Sequence, residues 1–498
     1  MISSLAFGLA GPGLAQSPAS SDSLQFSELG RFYGSGAEIS AFDPITKRLF
    51  VTDGGNGFVQ VVDLADPTNP QLITTLPYSA TSVAVKRGLL AIAVPNSDPT
   101  QPGMVVLMDT LLSQQPLTVK VGVLPDMLTF TPNGGHLLVA NEGERANGMD
   151  PEGSVSVIRL TAAGKTLKAK VRTASFTSFN NLRASLVANG VRIFPDAATV
   201  AQDIEPEYIA VSPDGRYAWV TLQENNAVAL LNITRAKITQ ILPLGLKDWS
   251  NGPRLDTSDR DGSNGGKAIL MRNQPVYGMY MPDGITSFSS AGITFFITAN
   301  EGDARSEDKR IASLSLDPVA FPDAVNLQKN ANLGRLNASS LDGDLDGDGD
   351  IDRLQVYGAR SFTIWNAAGK QVFDSGDQIE ALTASLTPGL FNANNGLAAD
   401  WDTRSDDKGP EPEAVVVGQV NGVNYAFIGL ERSGSGVMVY DLTDPANPLF
   451  ISYVRSDLDI SVEGLLFITA EDSPTGLPLL ILTHEVSATV TIYQINTP

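Results

Sequence analysis

The sequence predicts an all-β protein, a seven-bladed β-propeller with long loop insertions, and three observations carry that prediction. One unit of an acidic or turn residue followed by three strands recurs seven times. Strand residues alternate along the chain, as Tyr208 and Ala210 or Tyr217 and Trp219 do, which marks half-buried strands of period two rather than helices. Turn signals such as Pro-Asn-Gly-Gly at 132–135 and Pro-Asp-Gly at 213–215 separate the runs.

The copies span 37–64, 81–109, 125–160, 205–231, 282–316, 411–442 and 463–495. Three visible strands per copy and one between copies make four-stranded blades, and radial repetition keeps their edges short. A sandwich does not naturally repeat one unit seven times, and a β-helix has a shorter period. Residues near 24–33 are candidates for joining the last blade. The expected organisation is a leading tract over 1–23 and a single propeller over 24–498, interrupted at about 161–203, 233–281 and 318–410. The third insertion contains a hairpin-like stretch at 361–376. Insertions on a repeat scaffold become loops and often build the functional face.

Met1 to Ala15 resembles the second half of a signal peptide, a short apolar run ending in small residues, with a polar tract after it. No Lys or Arg precedes the run, so either the true start lies upstream or the likeness is accidental. The expectation is a secreted or periplasmic protein. No apolar run reaches eighteen residues, and no transmembrane segment is expected.

The formal charge is −21, from 34 basic and 55 acidic residues. Such a surface repels nucleic acid and anionic lipid and attracts multivalent cations. The chain has no cysteine, which removes thiol nucleophiles, Cys-ligated zinc, iron–sulfur clusters and disulfides.

The sharpest local motif alternates carboxylates with glycine and aliphatic residues: Asp342, Asp344, Asp346, Asp348, Asp350 and Asp352. Calcium takes six to eight hard oxygens, and a glycine at the sixth position permits the tight loop. Two registers fit, with Gly347 or Gly349 sixth. The twelfth position is then Arg353 or Gln355 rather than Glu, so this is not a helix-flanked EF-hand. It resembles the aspartate-rich calcium loops of extracellular modules, and calcium is the expected ion. A weaker echo runs from Asp256 through Asp259 and Asp261 to Asn264.

Carboxylates also recur at equivalent places in the copies. Asp126, Glu205 with Glu207, Asp283, Glu411 with Glu413, and Glu463 precede the first strand. Glu142 with Glu144, Glu224, Glu301 with Asp303, Glu431, and Glu471 with Asp472 follow the next, and His484-Glu485 comes later. Strand direction brings many of them toward one mouth of the central channel. Like charges gathered there require cations or raised pKa values, and a second divalent or transition metal is admitted beside calcium. Arg145, Arg305, Arg310, Arg360, Arg404, Lys408 and Arg432 stand nearby as anion contacts or as salt-bridge partners. His136 reads as a packed strand residue, and His484 as a candidate ligand or acid–base group. No Gly-x-Ser-x-Gly elbow, His-Glu-x-x-His pair or phosphate-binding Gly-Lys-Ser/Thr loop is present.

Several motifs together resemble the choice-of-anchor I family: Leu138-Val-Ala-Asn-Glu-Gly-Glu144, Pro275-Val-Tyr-Gly-Met-Tyr280, Thr298-Ala-Asn-Glu-Gly-Asp303, Asp402 through Glu413, and Thr483-His-Glu-Val-Ser487. The resemblance covers about 30–495 and implies an exported propeller. Relatives are labelled alkaline phosphatase-like, including large atypical cyanobacterial phosphatases, and animal relatives are described as surface glycoproteins. By analogy with calcium-dependent propeller phytases, an analogy of fold alone, Glu142, Glu144, Glu205, Glu207, Glu301, Asp303, Glu411, Glu413 and Glu463 become candidate metal ligands. Arg404, Lys408 and Arg432 become phosphate contacts, with His484 and Glu485 beside them as catalytic candidates. The implied activity is metal-dependent hydrolysis of a small phosphate ester or other anionic substrate, with a metal-activated water at the channel mouth. The alternative is a calcium-stabilised, non-enzymatic surface or matrix module binding glycan or protein.

Overall fold

The computed structural model describes residues 24–163, 166–195 and 197–497, so the leader-like tract lies outside the described residues. Among them are seven four-stranded antiparallel sheets. In chain order the first strands are Ser40–Asp43, Ser82–Lys86, Pro125–Phe130, Ile209–Val211, Ile285–Ser290, Pro412–Val420 and Val462–Ile468. Each first strand neighbours the next, and that of the seventh sheet neighbours that of the first, so the sheets close a ring around a channel. This is a β-propeller arrangement. The seventh sheet is completed by Gln25–Tyr33, which pairs antiparallel with Thr489–Asn496 and so joins the two ends of the described chain.

The apolar core is divided into layers between adjacent sheets. In the strand His136–Asn141, Leu137 and Val139 pack toward the second sheet while Leu138 and Ala140 pack toward the fourth. Both faces are therefore buried, which corrects the reading of half-buried strands. Ala218, Trp219 and Val220 are all buried for the same reason, since each sheet is sandwiched by two others.

The fifth sheet also departs from the sequence reading. Its third and fourth strands are Ser361–Asn366 and Gln371–Asp374, the hairpin assigned above to an insertion. Residues 310–316, read as the third strand, instead lie in an excursion between Ile293–Asn300 and Ser361–Asn366. That excursion and residues 244–282 fold together around Trp249, Leu255, Leu333, Leu336, Ile351 and Leu354. The lobe carries a three-stranded sheet of Leu246–Asp248, Tyr277–Met279 and Gln355–Val356, and a two-stranded one of Asp308–Arg310 and Asn337–Ser339. No described helix is long and apolar enough to cross a membrane.

Candidate metal centre

In each sheet an antiparallel hairpin sets the start of the first strand beside the end of the second. Pro125 is registered with Asn141, Pro412 with Leu430 and Val462 with His484. This brings Asp126 and Glu142, Glu207 and Glu224, Asp283 and Glu301, Glu413 and Glu431, and Glu463 and Glu485 to one end of the ring. Glu38 occupies the same repeat column in the first sheet. It was not singled out above, although aligning Glu38-Ile39 with Glu207-Tyr208 and Glu413-Ala414 would have found it. Glu471 and Asp472 do not belong here. They follow the first strand of the seventh sheet, one strand crossing away, where the Lys47 ammonium donates to the Asp472 carbonyl at 2.8 Å.

The channel encloses a cavity of about 200 Å³, with Glu38, Asp126, Asp283, Glu413, Glu463 and Glu485 in its wall. Burial raises Glu38, Asp126, Asp283, Glu413 and Glu463 among them. Asp126 rises to about 6, with Glu38 adding repulsion, and Asp283 to about 8, with Glu301 adding. Glu207, Glu413 and Glu463 are raised well above the usual range, by burial first and then by Glu142, Glu301 and Glu431 respectively. Around the rim, burial lifts Glu142 to about 10, reinforced by Asp126, and Glu431 to about 7, reinforced by Glu411.

Three of these groups converge most closely. One carboxylate oxygen each from Glu301, Glu413 and Glu431 lies within 4.8 Å of the others. Glu301 Oε2 accepts from Gln223 at 2.9 Å, and Glu431 Oε1 from Ser461 at 2.9 Å. Glu413 Oε2 is buried with no hydrogen-bond partner. An orphaned buried carboxylate oxygen inside an acidic cavity is the signature that a hard divalent cation would satisfy.

A basic clamp borders this trio. Arg404 Nε donates to Glu411 Oε1 at 2.5 Å, Lys408 Nζ lies 3.2 Å from Glu411 Oε2 and also contacts Glu301, and Arg432 Nη2 lies 2.8 Å from Glu431. Burial alone would raise Glu411, but Lys408, Arg404 and Arg432 override it and bring the carboxyl down to about 2. Glu411 therefore serves as an ionised anchor for the clamp, with a left-handed backbone (φ 48°) of the kind that costs of order 1–3 kcal/mol and clusters at functional sites.

The remaining candidates are dispersed. Arg305 takes Glu205 at 2.7 Å and Asp203 at 3.0 Å, while stacking 4.2 Å from the Phe194 ring centroid. Glu144 and Asp303 stand exposed on loops at the rim. The His484 side chain, expected as a catalytic candidate, is fully buried within the seventh sheet and is not among the residues in the cavity wall. Its Nδ1 faces the Thr489 carbonyl at 3.3 Å and Asp459 at 3.7 Å, and Nε2 has no partner. Burial depresses it to about 3, leaving a neutral ring. Glu485, the next residue, does reach the cavity wall.

The acidic loop divides in three. Asp344, Asp346 and Asp348 form an exposed trio, and Asp350 and Asp352 join Asp317 in a half-buried one. Asp342 is drawn away by Arg192 at 2.8 Å and Ser339 at 2.5 Å. Asp317 carried no local signal; a bridge from Leu316 to Ile351 places it. Asp344 accepts from the Gly347 and Gly349 amides at 2.6 and 3.0 Å, folding the loop on itself. Gly343 (φ 98°) is required there, since a Cβ would meet the Arg353 carbonyl at 2.0 Å. Asp350 Oδ1 is buried and unpartnered.

Among solved structures the chain is similar to Kuenenia stuttgartiensis hydrazine synthase, with a TM-score of 0.45 and 12% identity over 93% of this chain and 96% of that one. It is also similar to a streptogramin B lyase, with 0.44 and 10% over 95% and 98%. Among curated proteins, Gigasin-3a of Magallana gigas is 29% identical over 193 residues, 34% of this chain and 67% of that protein. A mesenchyme-specific cell surface glycoprotein of Strongylocentrotus purpuratus is 25% identical over 346 residues, 60% of this chain but only 42% of that protein. The profile of the choice-of-anchor I domain matches residues 38–445, and the chain belongs to that family.

Proposed function

We propose that this chain is an extracellular or cell-surface seven-bladed propeller, one sheet to a blade, whose channel mouth is a divalent-metal-dependent phosphomonoester hydrolase centre. The observation that carries this reading is the convergence of Glu301, Glu413 and Glu431 within 4.8 Å, beside a clamp of Arg404, Lys408 and Arg432. Glu301, Glu413 and Glu431 would hold a divalent cation, which would supply Lewis-acid activation of a water and of a phosphoryl oxygen. The chain's own groups do the rest. Lys408 and Arg432 exchange part of their carboxylate contacts for the incoming anion, and Arg404 holds Glu411 in place. The Asp344 and Asp317 groups would hold calcium, which would stiffen the lobe. The surface location draws on the name of the glycoprotein relative.

A non-enzymatic, calcium-stabilised binding module is the second reading. It is favoured by the fact that Arg404, Lys408 and Arg432 already have carboxylate partners. Hydrolysis of p-nitrophenyl phosphate at alkaline pH, before and after chelation and with calcium or another divalent metal restored, separates the two. The hydrolase reading requires turnover that returns with metal and is lost in Glu413→Gln. Absence of turnover with each divalent metal in a folded protein overturns it and leaves the binding module.

A further inference from the structure

The rim between the third and fourth sheets departs from the acidic character of the molecule. His136 is registered directly opposite Arg159, and Arg159 directly opposite Lys170. Arg172, two residues beyond Lys170, shares its face. Farther along the same face, Ala174 packs into the apolar layer against the fourth sheet, while Ala169 and Val171 turn toward the second. The basic row thus takes over where that apolar layer ends. It leaves a cavity of about 470 Å³ lined by His136, Arg159, Lys170, Arg172 and Thr234.

Like charges directly opposite across strands cost stability, and no carboxylate among the described residues pairs with them. Among the described residues, Arg159, Lys170 and Arg172 have no ion-pair partner. Asp214, on the turn whose Gly215 approaches Pro132, is already held by Arg216 at 2.7 Å. Arg172 Nη2 donates to the Thr234 carbonyl at 2.7 Å, which fixes the guanidinium across the groove. Burial, and then Arg159 and Arg172, hold the His136 imidazole below its ordinary value. It therefore stays neutral and can donate one hydrogen bond.

We propose that this groove binds a small ligand bearing two or more phosphoryl groups, with Arg159, Lys170 and Arg172 as its charge contacts. Neighbouring strands lie about 4.8 Å apart, and alternate residues along a strand about 7 Å apart. Those spacings suit phosphoryl groups on one small polyol. A long polyanion would run onto a protein of net charge −21 and be repelled. A bilayer does not enter a recess. Phosphoryl ester groups carry close to two charges each, which matches the density of cations better than singly charged sulfate ester groups. The inference does not rest on the reading of the channel.

Calorimetric titration of the metal-free protein with fructose 1,6-bisphosphate, at low and at moderate salt, tests it. One saturable site is expected, weakening with salt. Arg159→Gln/Arg172→Gln should weaken it by at least about tenfold, the loss of one or two charge-assisted contacts, whereas Arg432→Gln at the channel mouth should leave it unchanged. Both groove residues are exposed, and Lys170→Gln, alone, should weaken binding in the same sense. Absence of saturable binding, equal affinity in the double variant, or dependence on Arg432 would overturn the proposal. Sucrose octasulfate binding as tightly as the bisphosphate would overturn the phosphoryl assignment.

Discussion

Arg360→Met is the most informative single perturbation of this fold. The Arg360 and Glu380 side chains are only 2% and 1% exposed, with Nη1 2.8 Å from Glu380 Oε1. The guanidinium also donates to the carbonyls of Asp256 at 2.7 Å, Ser405 at 2.9 Å and Asp407 at 2.7 Å. It therefore ties the lobe, the helix Gln378–Leu386 and the loop carrying Arg404 and Lys408 into one unit. Without it, Glu380 keeps only the Asn392 amide at 2.9 Å, and its Oε2 already lacks a partner. Removing one member of a buried pair strands the other charge and costs about 3–5 kcal/mol, a large share of the ~5–15 kcal/mol that holds a typical protein folded. The left-handed backbone at Arg360 (φ 50°) is common to both proteins and cancels in the comparison. Urea unfolding followed by tryptophan fluorescence reads the difference. Arg360→Met/Glu380→Leu should recover at least about 1 kcal/mol of it, since no unpaired charge then remains. A loss below about 1 kcal/mol in the single variant, or a double variant no more stable than the single, refutes the reasoning.

The pH profile of stability should have two limbs. In chelated protein, Asp126 (about 6), Glu224 and Glu431 (about 7), and Asp283 and Glu205 (about 8) all titrate above their unfolded values. Their stabilisation is complete below about pH 4 and is lost as pH rises through 6 to 8, at ~1.4 kcal/mol per pH unit for each excess proton held by the folded state. Melting temperatures from pH 5 to 9 should fall without metal and stay level with calcium, and a flat chelated profile contradicts the clustered geometry. His484, depressed to about 3 by burial, acts in the opposite sense. Its contribution is present above about pH 6.5 and lost toward pH 3, so His484→Gln should flatten the acid limb. Gly418→Ala probes the layers between sheets: a Cβ there would meet the Phe467 ring at 2.3 Å. The expected cost is about 1–3 kcal/mol, seen as a lower urea midpoint, and a neutral result means the sixth and seventh sheets pack more loosely than described.

The repeat made the sheets legible because most first strands begin at an acid shortly followed by apolar residues, as in Glu207-Tyr208-Ile209 and Glu413-Ala414-Val415, the second sheet's Ser82–Lys86 being the exception. The fifth sheet was misread because an excursion of about sixty residues separates its second strand from Ser361–Asn366. Periodicity reports a strand but not the strand it pairs with. Glu471 and Asp472 were placed at the mouth for the same reason: an acidic pair after a strand looks alike at either end of a sheet.

What the sequence by itself determined is the strand-rich repeat, the acidic column at the start of most copies and the alternating aspartates, since these are written in local order and charge. Only the tertiary structure decided which carboxylates meet. Glu301, Glu413 and Glu431 come from two sheets. Asp317 reaches Asp350 and Asp352 through a bridge across the lobe, and Asp342 leaves its neighbours for Arg192. His484 was decided in the same way, since its chain neighbours suggest an exposed blade end while packing seals it in the seventh sheet. The physical reason is common to all of them. Coulombic and desolvation effects depend on distance and burial in space, and neither is a property of residue spacing along the chain.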